Sequence, residues 1–279
     1  MNLSRREVLR SMVAGALSAT ILSPAAAQTP PAPRLRVQRL SWAGVKLVCG
    51  DSTLFIDASY DPSSANGATP DVPLTVDTRD RNALVSHHHG DHFDAAALRN
   101  ALGENGIVVV PESVAPWADT RQLRVQPAKL HEPIMLPRGT ATFMAISVPA
   151  VDGLGHPQVS WVVDAAGKRI FHGGDTVWHG YWWDISRAYG PFDLALLPIN
   201  GFRQVVGRYT DTGQPMSLTP EQAAAAAEVL RAKLTVPIHY GGESPGYTEV
   251  PNAMQRFLDA AQARHIAARR VEPGSWIEL

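Results

Sequence analysis

The stretch Ser86-His87-His88-His89-Gly90-Asp91-His92 constrains this chain more than any other, because four of its seven residues can each offer a lone pair to one small volume. It follows the apolar run Ala83-Leu84-Val85, which reads as a buried strand, and precedes residues 93–102, which read as a helix. The ligand candidates therefore sit on a strand-to-helix turn. A strand end aims His87 and His89 to one side, and the turn swings Asp91 and His92 toward a neighbouring point. Imidazole and carboxylate are the usual donors for zinc and other borderline divalent ions. One ion would take His87 and His89, and a second would take Asp91 and His92. Four of the chain's ten histidines fall within residues 87–92, with an aspartate among them, which sets this stretch apart from an ordinary solvated turn.

The pattern His87-x-His89-x-Asp91-His92 resembles the metal-binding signature of the metallo-β-lactamase superfamily. Gly173-Gly174-Asp175-Thr176 and Pro237-Ile238-His239-Tyr240-Gly241 are similar to its later motifs, in the same order, and the resemblance runs from about Arg36 to the C-terminus. Within the superfamily, the chain is most similar to the branch that includes ascorbate-phosphate lactonase and N-acyl-phosphatidylethanolamine phospholipase D. The resemblance implies an αββα sandwich, an α/β fold of two mixed sheets flanked by helices. It implies two divalent ions, zinc by default with manganese or iron as alternatives. Asp175 is expected to bridge them, and His239 to complete a second set with Asp91 and His92. It also implies that Asp57, at the end of the strand Thr53-Leu54-Phe55-Ile56-Asp57, supports the metal-binding turn from behind; a strand-end cap is the alternative.

The third ligand of the first ion is where this sequence departs from the family pattern. Relatives carry a histidine shortly after a strand ending in Val-Pro-Ala, whereas here Val148-Pro149-Ala150 is followed by Val151-Asp152-Gly153-Leu154-Gly155-His156. Spacing favours Asp152, beside two glycines that suit a tight loop. Chemistry favours His156, four residues later. A carboxylate in that position makes the first site richer in oxygen and widens the choice of metal.

The rest of the chain supplies a frame. With 279 residues and 45% hydrophobic residues, there is enough for one large domain. The formal net charge of −1 and the lack of a basic stripe argue against a nucleic-acid partner. The single cysteine, Cys49, excludes an intrachain disulfide and reads as a small buried hydrophobe. At the N-terminus, Arg5-Arg6 precede a moderately apolar stretch and Ala25-Ala26-Ala27. Residues 1–27 thus read as a twin-arginine export signal cleaved after Ala27, residues 28–34 as a proline-rich linker, and residues 35–279 as the domain. The apolar stretch is too short and too rich in small residues for stable membrane insertion. Export by the twin-arginine machinery would place a folded, metal-loaded protein in the periplasm.

Alternating strand and helix patterns predict a sheet sandwich flanked by helices. Strands are expected near 35–42, 45–48 and 53–57 at the start. Further segments near 123–125, 134–136 and 140–148 are assigned to a second sheet. A helix over 220–233 has Thr219 as N-cap, Pro220 in the first position and Gln222 placed to close a capping box. The run Val177-Trp178-His179-Gly180-Tyr181-Trp182-Trp183 holds three tryptophans, a tyrosine and a histidine. Core packing is the default for such residues, but so many would overfill one buried face. Trp178, His179 and Trp182 are therefore candidates for the wall of a substrate pocket.

The function these features favour is a dinuclear metal-dependent hydrolase acting on a small-molecule lactone, ester or phosphodiester through a metal-bridging hydroxide, with Asp91 and Asp175 as catalytic residues. The competing readings are an iron-dependent oxidoreductase of the same fold, similar to the sulfur dioxygenases, and a binding module whose site has decayed. The bridging aspartate argues against a dedicated β-lactamase.

Overall fold

The computed structural model describes residues 33–60, 72–116, 122–136, 142–204, 210–242 and 246–279. The twin-arginine segment and nearly all of the linker lie outside the described residues. From residue 33 onward the chain forms one unit built on two sheets.

The strands of the first sheet are β1 (Leu35–Arg39), β2 (Val45–Cys49), β3 (Ser52–Ile56), β4 (Asp80–Leu84), β5 (Ile107–Pro111), β6 (Val125–Ala128) and β15 (Trp276–Glu278). These seven lie in the order β15-β1-β2-β3-β4-β5-β6. Those of the second sheet are β7 (Pro133–Leu136), β8 (Phe143–Pro149), β9 (Val159–Ala165), β10 (Lys168–His172), β11 (Leu194–Pro198) and β13 (Thr235–Ile238). These six lie in the order β13-β11-β10-β9-β8-β7. Both sheets are mixed: β3, β4, β5 and β6 run parallel, as do β10, β11 and β13, while the remaining neighbours pair antiparallel.

Side chains on successive strand residues point to opposite faces, and here both faces are covered. Leu194 and Leu196 of β11 face the core between the sheets, against Val37, Leu47 and Leu54 of the first sheet. Ala195 and Leu197 face outward, onto the helices α2 (Trp182–Tyr189), α3 (Pro220–Leu230) and α4 (Ala253–Ala263). On the other side, Ala83 and Val85 face out onto Leu98 and Leu102 of α1 (Ala95–Leu102), while Leu84 faces in. The result is the expected four-layer αββα sandwich.

Local chemistry sets the helix ends. Asp94 caps α1 by accepting from the Ala97 N–H at 2.9 Å. Thr219 and Gln222 form the expected capping box on α3, with Pro220 opening it. Cys49 is buried and unpaired.

Two expectations need correction. The segment near 123–125 belongs to the first sheet, as β6, because it pairs in parallel with β5 and not with β7. The aromatic run leads into α2, whose N-terminal turn folds Trp182 inward; alternation alone gave no sign of this helix. Beyond β11, β12 (Arg203–Gln204) pairs antiparallel with β14 (Tyr247–Thr248). No helix among the described residues is long and apolar enough to cross a membrane.

Candidate metal centre

The candidate ligands come from the carboxyl ends of strands in both sheets, where side chains and turn backbone converge in folds with parallel strands. β4 delivers Ser86 through His92, β8 delivers Asp152, β10 delivers Asp175 and β13 delivers His239. The chain breaks sharply at these ends. Asp57 and His239 adopt positive φ values of 46° and 53°, a region that only a few non-glycine residues enter. Gly174 has φ 67°, and a Cβ there would lie 2.8 Å from Gln158 Nε2 and 3.1 Å from Ser86 Oγ, so this position admits only glycine without rearrangement.

Two donor sets result. His87, His89, Asp152 and Asp175 form one, and Asp91, His92 and His239 form the other; within each set one donor atom per residue lies within 4.8 Å of all the rest. Asp175 links them. Its Oδ2 stands 3.8 Å from His87 Nε2 and 3.9 Å from both His92 Nε2 and His239 Nε2. Asp91 Oδ2 is 3.6 Å from His92 Nε2 and 3.5 Å from His239 Nε2, and Asp152 Oδ2 is 3.8 Å from His89 Nδ1. Bonds of about 2.0–2.2 Å to one tetrahedral ion place its ligands roughly 3.3–3.6 Å apart, so the sets need contract only slightly to hold a cation.

The residues behind these ligands decide which nitrogen faces inward. Buried Asp57 accepts from the Ser86 N–H at 2.7 Å, from Ser86 Oγ at 2.7 Å and from His92 Nδ1 at 2.9 Å. Because Ser86 Oγ gives its hydrogen to Asp57, it accepts from His87 Nδ1 at 2.9 Å. Both imidazoles thus carry a proton on Nδ1 and turn Nε2 toward the centre. His239 Nδ1 lies 3.0 Å from the Asn200 side-chain amide, which also contacts Tyr247 and Ser217. Trp42 donates from Nε1 to Asp91 Oδ2 at 3.0 Å, and its ring lies 4.3 Å from that of His239. Asp152 Oδ1 accepts from the N–H groups of Leu154 at 2.7 Å and His156 at 3.0 Å, which leaves Oδ2 for the centre.

His87 Nε2, His92 Nε2, His239 Nε2 and Asp175 Oδ1 are buried and make no hydrogen bond. One such atom costs about 1–3 kcal/mol, and four around one focus need a common partner. A cation supplies one, so the residues present fit the metals that the sequence implied.

The groups also perturb one another's protonation. Burial drives the His87 imidazole well below its usual range and His239 down to about 4. Burial likewise pushes Asp175 up to about 7. His92 moves the other way: burial opposes its charge, but the carboxylates of Asp91 and Asp57 outweigh burial and raise it to about 10. Asp91 is held well below the usual carboxylate range, burial again opposing and His92 prevailing.

Of the candidates drawn from the sequence, His87, His89, Asp91, His92, Asp152, Asp175 and His239 converge. His156 enters neither of these two sets: its Nδ1 lies 2.7 Å from His89 Nε2, whereas Asp152 Oδ2 faces Nδ1 of the same ring. The aromatic pocket is a correction. Trp182 is fully buried against Phe171 in the outer core, His179 stacks on it at 4.5 Å, and Trp178 packs on the same cluster. The seven-residue run does not overfill a face because α2 splits it between the core and solvent, where Trp183 and Tyr181 are exposed. The space beside the centre is instead a cleft of 460 Å³ lined by residues that include Asp152, His156, Gln158, Lys129, Leu130 and Val151. Sequence reasoning missed Trp42, Asn200 and His172. His172 accepts from the Gly174 N–H at 3.2 Å and donates from Nε2 to the Ala43 carbonyl at 2.9 Å, which secures the turn carrying Asp175. Only the strand-end places of Asn200 and His172 hinted at this.

Comparison with known proteins agrees with this geometry. The family model described as "Beta-lactamase superfamily domain" matches residues 52–240. A UPF0173 metal-dependent hydrolase of Thermus thermophilus is 30% identical over 70% of this chain and 80% of its own length. One from Geobacillus sp. (strain WCH70) is also 30% identical, over 84% of this chain and 96% of its own. Among solved structures, the metallo hydrolase Igni18 of the archaeon Ignicoccus hospitalis superposes with a TM-score of 0.67 at 21% identity, covering 88% of this chain and 98% of that one, a likeness of fold. With the family model spanning more than half the chain and its motifs meeting at one focus, the chain belongs to the beta-lactamase superfamily.

Proposed function

We propose that the chain is a dinuclear metal-dependent hydrolase that cleaves a small-molecule lactone, ester or phosphodiester. The observation that carries this reading is the ring of three buried, unpartnered Nε2 atoms, each within 3.9 Å of the same Asp175 oxygen. Two divalent ions held there would supply a nucleophilic hydroxide at neutral pH and polarise the bond that it attacks. His87, His89 and Asp152 would hold the first ion, Asp91, His92 and His239 the second, and Asp175 both.

The remaining work falls to the protein. Asp57, Ser86 and Asn200 keep the imidazoles oriented, and Trp42 fixes Asp91. The Asp91 side chain is 28% exposed, against 5% for Asp175 and 2% for Asp152, so it is the acid of the centre best placed to pass a proton to a leaving oxygen. The cleft beside Asp152 combines apolar Leu130 and Val151 with the charge of Lys129 and suits a substrate with an apolar body and an anionic or carbonyl head. The relatives' name, metal-dependent hydrolase, supports the reaction class.

The N-terminal Arg5-Arg6 signal supports export to the periplasm by the twin-arginine machinery. Mass spectrometry of the protein from a periplasmic extract would show a chain beginning at Gln28; a cytoplasmic protein beginning at Met1 would refute export.

The reaction is tested by elemental analysis joined to a hydrolysis panel of lactones, phosphodiesters and β-lactams. Two equivalents of zinc or manganese and turnover of a lactone or phosphodiester are expected. The two-carboxylate first set also suits iron, so bound iron with oxygen uptake on a thiol substrate would replace the hydrolase reading with an oxidoreductase. A folded protein that takes up no metal would leave only a decayed binding module.

A further inference from the structure

A third imidazole cluster stands at the mouth of the centre. His88, His89 and His156 place one nitrogen each within 4.8 Å of the others, and all three residues are partly exposed. Their ring centroids are 4.9–5.1 Å apart. His156 also lines the open cleft beside the centre. We propose that these three residues form a third divalent-cation site that competes with the buried centre for His89.

The competition arises from imidazole chemistry. A neutral ring has one lone pair and one N–H. When His89 Nδ1 faces inward, 3.8 Å from Asp152 Oδ2, its Nε2 carries the proton and donates to His156 Nδ1 at 2.7 Å. A cation arriving from solvent takes the Nε2 lone pair, together with nitrogens of His156 and His88. The proton then moves to His89 Nδ1. No proton is gained or lost, and the inner set gives up one donor. Occupation of the two positions is therefore mutually unfavourable, a negative linkage that acts equally in both directions. Three imidazoles without a carboxylate favour zinc, cobalt or nickel over manganese or magnesium. Half-exposed rings also have room to draw together around an ion. The existence of the outer site stands on these three residues alone; the competition rests on the two-ion reading above.

The test is equilibrium dialysis of the full chain against buffered Zn²⁺, with bound metal counted by elemental analysis for the wild type, His88→Ala and His156→Ala. The wild type should saturate at three equivalents, and each variant should need about tenfold more free zinc, or more, for the third. Nitrogen NMR of labelled histidine should show the His89 proton move from Nε2 to Nδ1 as the third equivalent binds. Saturation of the wild type at two equivalents would overturn the outer site and leave the dinuclear reading intact. A third equivalent retained by both variants would place it elsewhere and overturn the proposal. Three equivalents with an unchanged His89 tautomer would refute the competition. Failure to bind any zinc would remove the buried centre as well.

Discussion

Asp57→Asn changes one oxygen of a fully buried side chain to NH2, and the surrounding hydrogen bonds dictate the response. Oδ1 accepts from the Ser86 N–H, while Oδ2 accepts from both Ser86 Oγ and His92 Nδ1. The asparagine carbonyl must keep facing the Ser86 N–H, because NH2 there would set two donors against each other. The NH2 then faces Ser86 Oγ and His92 Nδ1. His92 can satisfy it only as an acceptor on Nδ1, which puts its proton on the metal-facing Nε2. Ser86 Oγ, now accepting from the amide, donates to His87 Nδ1, and the His87 proton also moves to Nε2. A single-atom change thus blocks one ligand in each donor set. Loss of a partner behind a metal ligand costs about 10–100-fold in affinity, roughly 1.4–2.7 kcal/mol, and with two ligands affected the upper end is expected. Replacement of a charged acceptor should also cost the fold about 1.5–3 kcal/mol. Competition with a chromogenic chelator measures the first and denaturant unfolding the second. A folded Asp57→Asn protein with zinc affinity within twofold of wild type would show that Asp57 merely caps its strand.

The same geometry sets three further outcomes. Asp175→Asn should bind about one equivalent of metal instead of two and lose turnover by on the order of 10²-fold or more, as should His239→Ala; two equivalents and full activity in both would discredit the centre. Metal uptake should depend on pH, since Asp175 holds a proton below about 7 and His92 below about 10. Between these values one proton is displaced and affinity should rise about tenfold per pH unit, with a steeper rise below 7; a chelator titration that is flat between pH 6 and 9 would contradict this. The sign for the protein without metal is opposite at His92: its raised pKa stabilises the fold fully below about 6.5, and that stability fades as pH rises through about 10. Gly174→Ala must place a Cβ 2.8 Å from Gln158 Nε2 at φ 67° and should cost about 1–3 kcal/mol, read as a drop of roughly 2–12 °C in Tm; an unchanged melting temperature would refute the assigned strain.

Much of this was written in the residues themselves. His87, His89, Asp91 and His92 announce a centre because donors of one kind crowd into six positions. Leu194-Ala195-Leu196-Leu197 reads as a buried strand because an unbroken apolar run suits a strand covered on both faces. Thr219, Pro220 and Gln222 open a helix through bonds that close within four residues. Such signals are local, and no distant partner is needed to read them.

Tertiary structure alone decided the rest. Asp152 meets Nδ1 of the His89 ring and His156 meets its Nε2, a matter of how the loop after β8 lies across the turn after β4. Trp182 looked like a pocket residue until α2 folded it onto Phe171. Trp42 and Asn200 lie 49 and 39 positions from the Asp91 and His239 that they orient, and neither carries a motif. Sequence pattern records what a segment does with its neighbours along the chain. Which proton sits on which nitrogen, and which aromatic ring meets solvent, depends on contacts made only after both sheets have closed.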